Sequence, residues 1–365
     1  MSSWVNHAIE TIDADFQRSS DTHLIRLDLP ALDHVQIYLK DESTHPTGSL
    51  KHRLARSLFL YGLCNGWLRE GTTVVEASSG STAVSEAYFA RLLRLPFIAV
   101  IPRGTSQKKI DQITFYGGTC KLVAAGDIYA EAQRLARELN GHYMDQFTYA
   151  ERATDWRGNN NIAEAIFAQM RVEEFPVPAW VVTSAGTGGT SATIGRFIKY
   201  KRHATQLCVA DPEYSVFHRY FTTRDPKVTL DRGSNIEGIG RPRVEASFIP
   251  SVIDRMITVP DAAAFATIHF LADVLNRKCG GSTGTNLYAA FQIACELSEK
   301  GQRCSVVSMI CDSGERYLDT YYNDEWLRAN GFDLAPYRQQ LKVFRETGRW
   351  PELGSAAGSR GIAPA

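Results

Sequence analysis

Short runs of β-branched and apolar residues alternate along this chain with segments whose apolar positions recur every three to four residues. Residues 35–39 (VQIYL) predict a strand, followed by a polar loop over 40–49 with Pro46 and Gly48 and a helix over 50–61. Residues 73–77 (TVVEA) predict a second strand and 78–82 (SSGST) a loop. A helix over 83–95 follows, with Val84, Tyr88 and Leu92 on one face and Pro96 as the stop. The continuous apolar run 97–101 (FIAVI) reads as a strand covered on both faces. A helix over 106–116 ends at Gly117-Gly118. Residues 120–124 predict a strand and 128–139 a helix; 180–183 (WVVT) predict a strand, then a glycine-rich loop and a helix to about 200. Residues 206–210 and 305–310 (SVVSMI) predict further strands.

Strands alternating with helices of this length imply βαβ units and mostly parallel sheets flanked by helices, an α/β protein. In such open sheets ligands sit beyond the carboxyl ends of the strands. The loops after those ends are therefore where chemistry is expected. No repeat of the period that marks a solenoid is visible.

Composition narrows the function classes. At roughly 100–200 residues per domain, 365 residues fit about two domains. Lys and Arg total 40, matched by 40 Asp and Glu, so nothing in the charge balance points to nucleic acid or an anionic membrane. No apolar run approaches the roughly 18 residues a membrane helix needs. The first residues (MSSWVNHAIETIDADF) carry acids and no apolar leader core, so the expected location is the cytoplasm. The 7 cysteines form no CxxC pair, which argues against a zinc site and a disulfide scaffold; no metal is expected, and reduced, mostly buried thiols are.

Four loops carry candidate chemistry. Gly186-Thr187-Gly188-Gly189-Thr190 lies between a strand and a helix, where glycines admit an anion and helix amides point at it, a good phosphate cup. No GK[ST] follows, so it is not a nucleotide P-loop, and GxGxxG is absent, against a dinucleotide site. In His45-Pro46-Thr47-Gly48-Ser49-Leu50-Lys51, the lysine opens a helix, where the dipole disfavours a cation. That placement suits an amine that must be neutral and nucleophilic. Ser78-Ser79-Gly80-Ser81-Thr82 offers hydroxyls and helix amides to a carboxylate, although simple capping accounts for it equally. Cys311-Asp312-Ser313-Gly314 follows a strand on the ligand side. His52 reads as a polar residue facing solvent, Asn159-Asn160-Asn161 as a helix start, and Arg241-Pro242-Arg243 as cationic charge near a cleft entrance.

Together and in this order, HPTGSLKHR, SSGST, GTGGT, NIEGIG (235–240), GGSTG (280–284) and CDSGERYL resemble the cysteine synthase and cystathionine β-synthase group of pyridoxal-phosphate enzymes, fold type II (tryptophan synthase β-like). The resemblance runs from about 22 to 322. It implies a larger coenzyme-binding domain from 1–45 and 158–335, and a smaller, mobile substrate-loop domain from 46–157. An extension follows over 336–365, its end without order. It implies that Lys51 holds the coenzyme as a Schiff base and acts as the catalytic base. Gly186, Thr187, Gly188, Gly189 and Thr190 would take the phosphate, and Ser313 the pyridine nitrogen. Ser78, Ser79, Gly80, Thr82, Gln146 and Gly238 would receive the substrate. Ser81 is also expected against the coenzyme, at the place where the family has asparagine, a departure that puts cysteine synthesis in doubt more than the coenzyme.

A serine rather than an acid at the ring nitrogen leaves it largely unprotonated, which suits chemistry in which a β substituent departs quickly. The stretches EASSGSTAVSEAYFA and DQFTYAERATDWRGNNN look most like a bacterial L-cysteine desulfhydrase subgroup. The resemblance therefore implies elimination of sulfide from L-cysteine through an aminoacrylate to pyruvate and ammonia. Cysteine synthase, using O-acetylserine and sulfide, is the alternative, and a non-catalytic regulator or binder on the same fold is the second. The family also implies a homodimer.

Overall fold

A computed structural model describes residues 2–19, 21–32 and 34–353. Among the described residues, ten strands form two sheets: β1 (His23–Leu27), β2 (Val35–Asp41), β3 (Val74–Glu76), β4 (Phe97–Pro102), β5 (Thr119–Val123), β6 (His142–Tyr143), β7 (Trp180–Ser184), β8 (Gln206–Pro212), β9 (Arg255–Val259) and β10 (Cys304–Ile310). The larger sheet runs β1-β2-β10-β7-β8-β9 and the smaller β5-β4-β3-β6. Every pairing is parallel except β1 against β2. The predicted α/β class, with parallel sheets flanked by helices, is what the chain adopts.

Burial follows from position in the sheets. Val181 and Val182 on β7 and Val306 and Val307 on β10 are fully enclosed, as expected of central strands covered by helices on both faces. β5 is an edge, and Lys121 and Leu122 on it are exposed. The helix Gly281–Glu299 lies against Asp261–Leu275 so closely that a Cβ on Gly284 would stand 2.1 Å from the Ala264 carbonyl oxygen. A side chain there would push two helices apart.

Several elements were not anticipated: the helix Ser3–Gln17, the antiparallel edge β1, the edge strand β9, and the helices Gln146–Ala153, Asp261–Leu275 and Gly281–Glu299. The segment expected to be an extension after 335 begins as a helix, Ala335–Thr347, whose Leu341 and Phe344 sit in the main core. Phe344 packs on Phe291 with ring centroids 4.6 Å apart. The expected lack of order beyond residue 353 lies outside the described residues.

A buried polar cluster fixes the helix Lys51–Cys64 to the larger sheet. Arg53 donates to Glu42 from Nε (2.6 Å) and to Asp21 from Nη2 (2.6 Å), while Lys40 donates to the Thr22 carbonyl (2.7 Å) and to Gln169 (2.7 Å). Burial opposes ionisation of Glu42, yet Arg53 and His45 hold its carboxyl well below the usual range. The pairs are therefore compensated charges, the condition under which such groups are tolerated inside a protein.

Candidate active site

The loops after β2, β3, β7, β8 and β10 meet in one cleft of about 420 Å³, where both sheets turn their carboxyl ends. Lys51 is the first residue of its helix. The turn before it is tied to the end of β10: Leu50 N–H donates to the Cys311 carbonyl (2.8 Å), and Ser49 bridges to Asp312. Two motifs some 260 residues apart are thereby hydrogen-bonded to each other. Lys51 is half-buried with its side chain lining the cleft, and its amine meets no hydrogen-bond or ion-pair partner among the described residues. Burial pushes that amine below the usual lysine range; Arg241 adds to the shift, while Cys311, Asp312 and Glu76 act against it.

The glycine loop turns from β7 into the helix Gly189–Lys201, whose amino end has no side-chain cap. Gly188 sits at φ +93°, and a Cβ there would lie 2.5 Å from the Phe248 Cα. A Cβ on Gly186 would lie 2.1 Å from the Gly238 carbonyl oxygen. These positions need glycine because backbone, not movable side chain, closes over them. Gly189 N–H is satisfied by Thr187 Oγ1 (3.2 Å). Gly186, Thr187, Gly188 and Thr190 line the cleft; Gly189 does not, because it faces away and packs against Ala150.

Ser78, Ser79, Gly80, Ser81 and Thr82 all line the same cleft, as do Gln146 and Gly238. Thr82 Oγ1 donates to Gln146 Oε1 (2.8 Å), a buried contact joining the serine loop to the helix Gln146–Ala153. Ser81 is not idle: its hydroxyl accepts from Arg316 Nη1 (2.5 Å), and Nη2 of the same arginine reaches the Thr47 carbonyl (2.8 Å). Ser81, expected from the resemblance to stand in place of an asparagine, is thus held by a cation from the CDSGERYL motif.

Ser313 is not part of the cleft lining. Its hydroxyl turns back to accept from Glu315 N–H (3.3 Å), capping the short turn Gly314–Tyr317. The wall expected from Ser313 is made by Cys311, Asp312 and Ser282. Asp312 accepts from the Tyr317 hydroxyl (2.7 Å), and its Oδ1 has no partner. Burial raises its carboxyl to about 6 against that hydrogen bond. Cys311 is pushed up to about 12 by burial and by Asp312, so it is no thiolate. Ser282 belongs to the GGSTG turn, and its place in a glycine-serine turn at a helix start was the signal that could have singled it out.

Other expectations divide. His52 is buried rather than solvent-facing: Nδ1 meets Thr47 Oγ1 (3.2 Å), its ring lies 4.8 Å from Phe89, and burial pushes it down to about 3. Asn161 does cap a helix, accepting from Ala163 (2.9 Å) and Glu164 (3.0 Å). Arg241 does line the cleft, held by Glu245 (2.8 Å), the Tyr129 hydroxyl (2.8 Å) and the face of Phe147 (4.3 Å).

These residues fit an aldehyde coenzyme carrying a phosphate. Among the described residues the amine lacks a partner, the N-cap Gly188 brings no side chain to the helix end, and the glycine turn between them tolerates none. Comparison with known proteins agrees. Residues 17–312 match the family described as "Pyridoxal-phosphate dependent enzyme". The chain is 59% identical over 353 residues to L-cysteine desulfhydrase Cds1 of Mycobacterium tuberculosis, covering 95% of this chain and 96% of that one. It is 29% identical to the cystathionine beta-synthase of Oryctolagus cuniculus, covering 87% of this chain and 57% of the relative. The crystal structure of O-ureido-L-serine synthase superposes with a TM-score of 0.73 at 26% identity, over 88% of this chain and 98% of that one. With motifs, fold and relatives in agreement, the chain belongs to the fold type II pyridoxal-phosphate dependent enzymes, among the relatives of cysteine synthase and cystathionine β-synthase.

Proposed function

We propose that this enzyme eliminates sulfide from L-cysteine, leaving pyruvate and ammonia. The observation that carries the substrate and outcome is the 59% identity to an L-cysteine desulfhydrase across nearly the whole of both chains. The cleft supports it with a small, polar, hydroxyl-lined space suited to an amino acid.

Bound, pyridoxal phosphate supplies an aldehyde that condenses with amines and a ring that draws electrons from the substrate α-carbon. The protein's part is orientation and proton handling. Gly186, Thr187, Gly188 and Thr190, with the amides opening the helix Gly189–Lys201, would hold the phosphate. Ser282, a neutral hydroxyl on the wall shared with Cys311, is the group we assign to the ring nitrogen in place of Ser313. Ser78, Ser79, Thr82 and Gln146 would receive the α-carboxylate.

Lys51, whose amine burial biases toward its neutral form, takes the α-proton. The carbon–sulfur bond breaks with its electron pair going to sulfur, which leaves as sulfide. One water balances the products: cysteine and water give hydrogen sulfide, pyruvate and ammonia.

The reading includes a smaller unit, residues 46–157, closing over the substrate. Contacts that such closure would make are Lys109 to Glu237 (2.8 Å) and Arg241 to Tyr129 (2.8 Å), each joining the smaller sheet's side to the larger. It also includes a homodimer in the cytoplasm, carried by the resemblance to the cysteine synthase group. Among the described residues no helix is long and apolar enough to cross a membrane.

Product analysis tests the proposal. With L-cysteine alone, the purified holoenzyme is expected to release sulfide and pyruvate in equal amounts over many turnovers. Turnover only with O-acetylserine plus sulfide would make it a synthase, and no turnover with either would leave a binder.

A further inference from the structure

Two buried glutamates flank the serine loop, Glu76 just before it and Glu86 on the helix it opens, and the mechanism above uses neither. Glu76 is the last residue of β3, and its carboxyl ties together the two segments read as the carboxylate receiver. Oε1 accepts from Ala77 N–H (2.7 Å), where the serine loop begins, and Oε2 accepts from Gln146 N–H (3.2 Å). Glu86 projects from the helix that the serine loop opens, Ser81–Leu92. Both side chains are wholly enclosed, and neither oxygen of Glu86 meets a donor. No lysine, arginine or histidine forms an ion pair with either among the described residues. A charge in that position is very costly, and an unpaired acceptor also carries a penalty.

We propose that Glu76 and Glu86 share one proton, and that this joint group is a positioning device that holds the serine loop and Gln146 in register for the substrate carboxylate. The inference rests on the reading of those segments as the carboxylate receiver. Neutral Glu86 donates to Glu76, which fills Glu86's missing hydrogen bond and gives Glu76 a third donor beside its two backbone amides. Loss of the proton puts two like charges under a loop meant to attract an anion.

The surroundings favour the proton. Burial raises both carboxyls; the charge of Glu76 and the hydrogen bond between the two raise Glu86 further, whereas the two backbone amides and the bond from Glu86 favour the ionised form of Glu76. Asp145, which opens the helix bearing Gln146, pushes Glu76 up, as burial does. Tyr143 on β6 is itself raised by burial and then by Glu76, Asp145, Tyr129 and Glu86, so it stays neutral and adds no charge of its own. Among nearby basic groups, Glu76 acts on Lys51, favouring its charged form. Because the native state keeps a proton that unfolded glutamates release near 4.3, the pair's protonated form is lost as pH rises through its folded value. Substrate affinity should fall on the alkaline side.

The test compares wild-type holoenzyme with Glu86→Gln, Glu86→Leu and Glu76→Gln. Binding of L-alanine, an amino acid with no β leaving group, is followed by calorimetry across neutral to alkaline pH. Glutamine at 86 donates to Glu76 at every pH, so the alkaline rise in Kd should shrink by about 10-fold relative to wild type, one pK unit's worth of interaction. Glu86→Leu removes both charge and donor, and should flatten the same rise if Glu86→Gln fails to fold. Glutamine at 76 offers one acceptor to two amides, so Kd should rise by about 10-fold at all pH values while the coenzyme stays bound.

An infrared difference spectrum of resting wild type minus Glu86→Gln should contain the carbonyl stretch of a protonated carboxylic acid. The subtraction separates it from Asp211 and Asp312, which burial raises to about 7 and about 6. No such band, or identical Kd profiles for wild type and Glu86→Gln, would overturn the proposal. Both readouts are independent of sulfide release, so a failed desulfhydrase assay with the band and the Kd shift present contradicts the substrate, not the pair.

Discussion

Lys51→Ala is expected to lower the rate of sulfide release by at least about 10³-fold, because it removes the group proposed both to anchor the coenzyme and to move the α-proton. The prediction singles out one amine among several near the cleft for a physical reason. Lys40 is fully buried but spends its charge on Asp21, Thr22 and Gln169. Lys109 reaches the cleft but pairs with Glu237. Lys51 alone of the three lines the cleft without a partner, with burial lowering its proton affinity. The variant should also lose the coenzyme's visible absorption band while keeping its fold, since the amine contributes nothing to packing. Lys109→Ala should retain that band. Absorbance and sulfide assays on the two variants check it, and a Lys51→Ala enzyme with wild-type turnover would remove the assignment.

The second large effect is at Gly188. Alanine there must adopt a left-handed backbone, costing about 1–2 kcal/mol. Its Cβ also meets the Phe248 Cα at 2.5 Å and the Ser247 carbonyl oxygen at 2.6 Å. Both are backbone atoms, so the strand-to-helix turn has to move, and overpacking of this kind costs typically about 1–3 kcal/mol. Taken together, Gly188→Ala should destabilise by about 2–5 kcal/mol. If half of that falls on the glycine turn, coenzyme affinity drops by about 5- to 60-fold, at about 1.4 kcal/mol per tenfold. Gly233 is the matched control: it lines the same cleft, its φ is unremarkable, and the nearest atom to an added Cβ is Pro242 Cδ at 3.9 Å. Denaturant melts and coenzyme titration of both variants measure the contrast.

What was legible in the sequence was whatever local order announces. The strands with continuous apolar runs, such as 97–101 and 305–310, fell within a residue or two of β4 and β10. Their burial on both faces keeps them rich in apolar residues, broken in 305–310 only by the buried Ser305 and Ser308. The glycine and serine loops were readable because backbone demands and hydroxyl chemistry concentrate in a few consecutive residues. β1 was not readable: its five residues, HLIRL, form an exposed edge whose polar and apolar positions do not alternate cleanly. β9, RMITV, is the opposite edge and equally mixed.

Misplacing Ser313 has a definite cause. Sequence places 311–313 after a strand on the ligand side but cannot say which residue turns inward. Here Asp312 is held inward by Tyr317, and Ser313 is drawn into capping the next turn. Long-range partners were equally invisible. Arg316 reaches Ser81 across 235 positions, and no local pattern relates them. Glu76 and Glu86 look like ordinary strand-end and helix glutamates, and only their enclosure makes them a pair.

The account turns on the bond between one lysine and the coenzyme. Borohydride reduction of the holoenzyme fixes that bond as a stable amine, and peptide mass spectrometry then locates it. The expected result is a coenzyme-bearing peptide with the modification on Lys51 and no other labelled lysine. A label on Lys40, Lys109 or any other lysine, or a reduced holoenzyme with no labelled peptide, would contradict it.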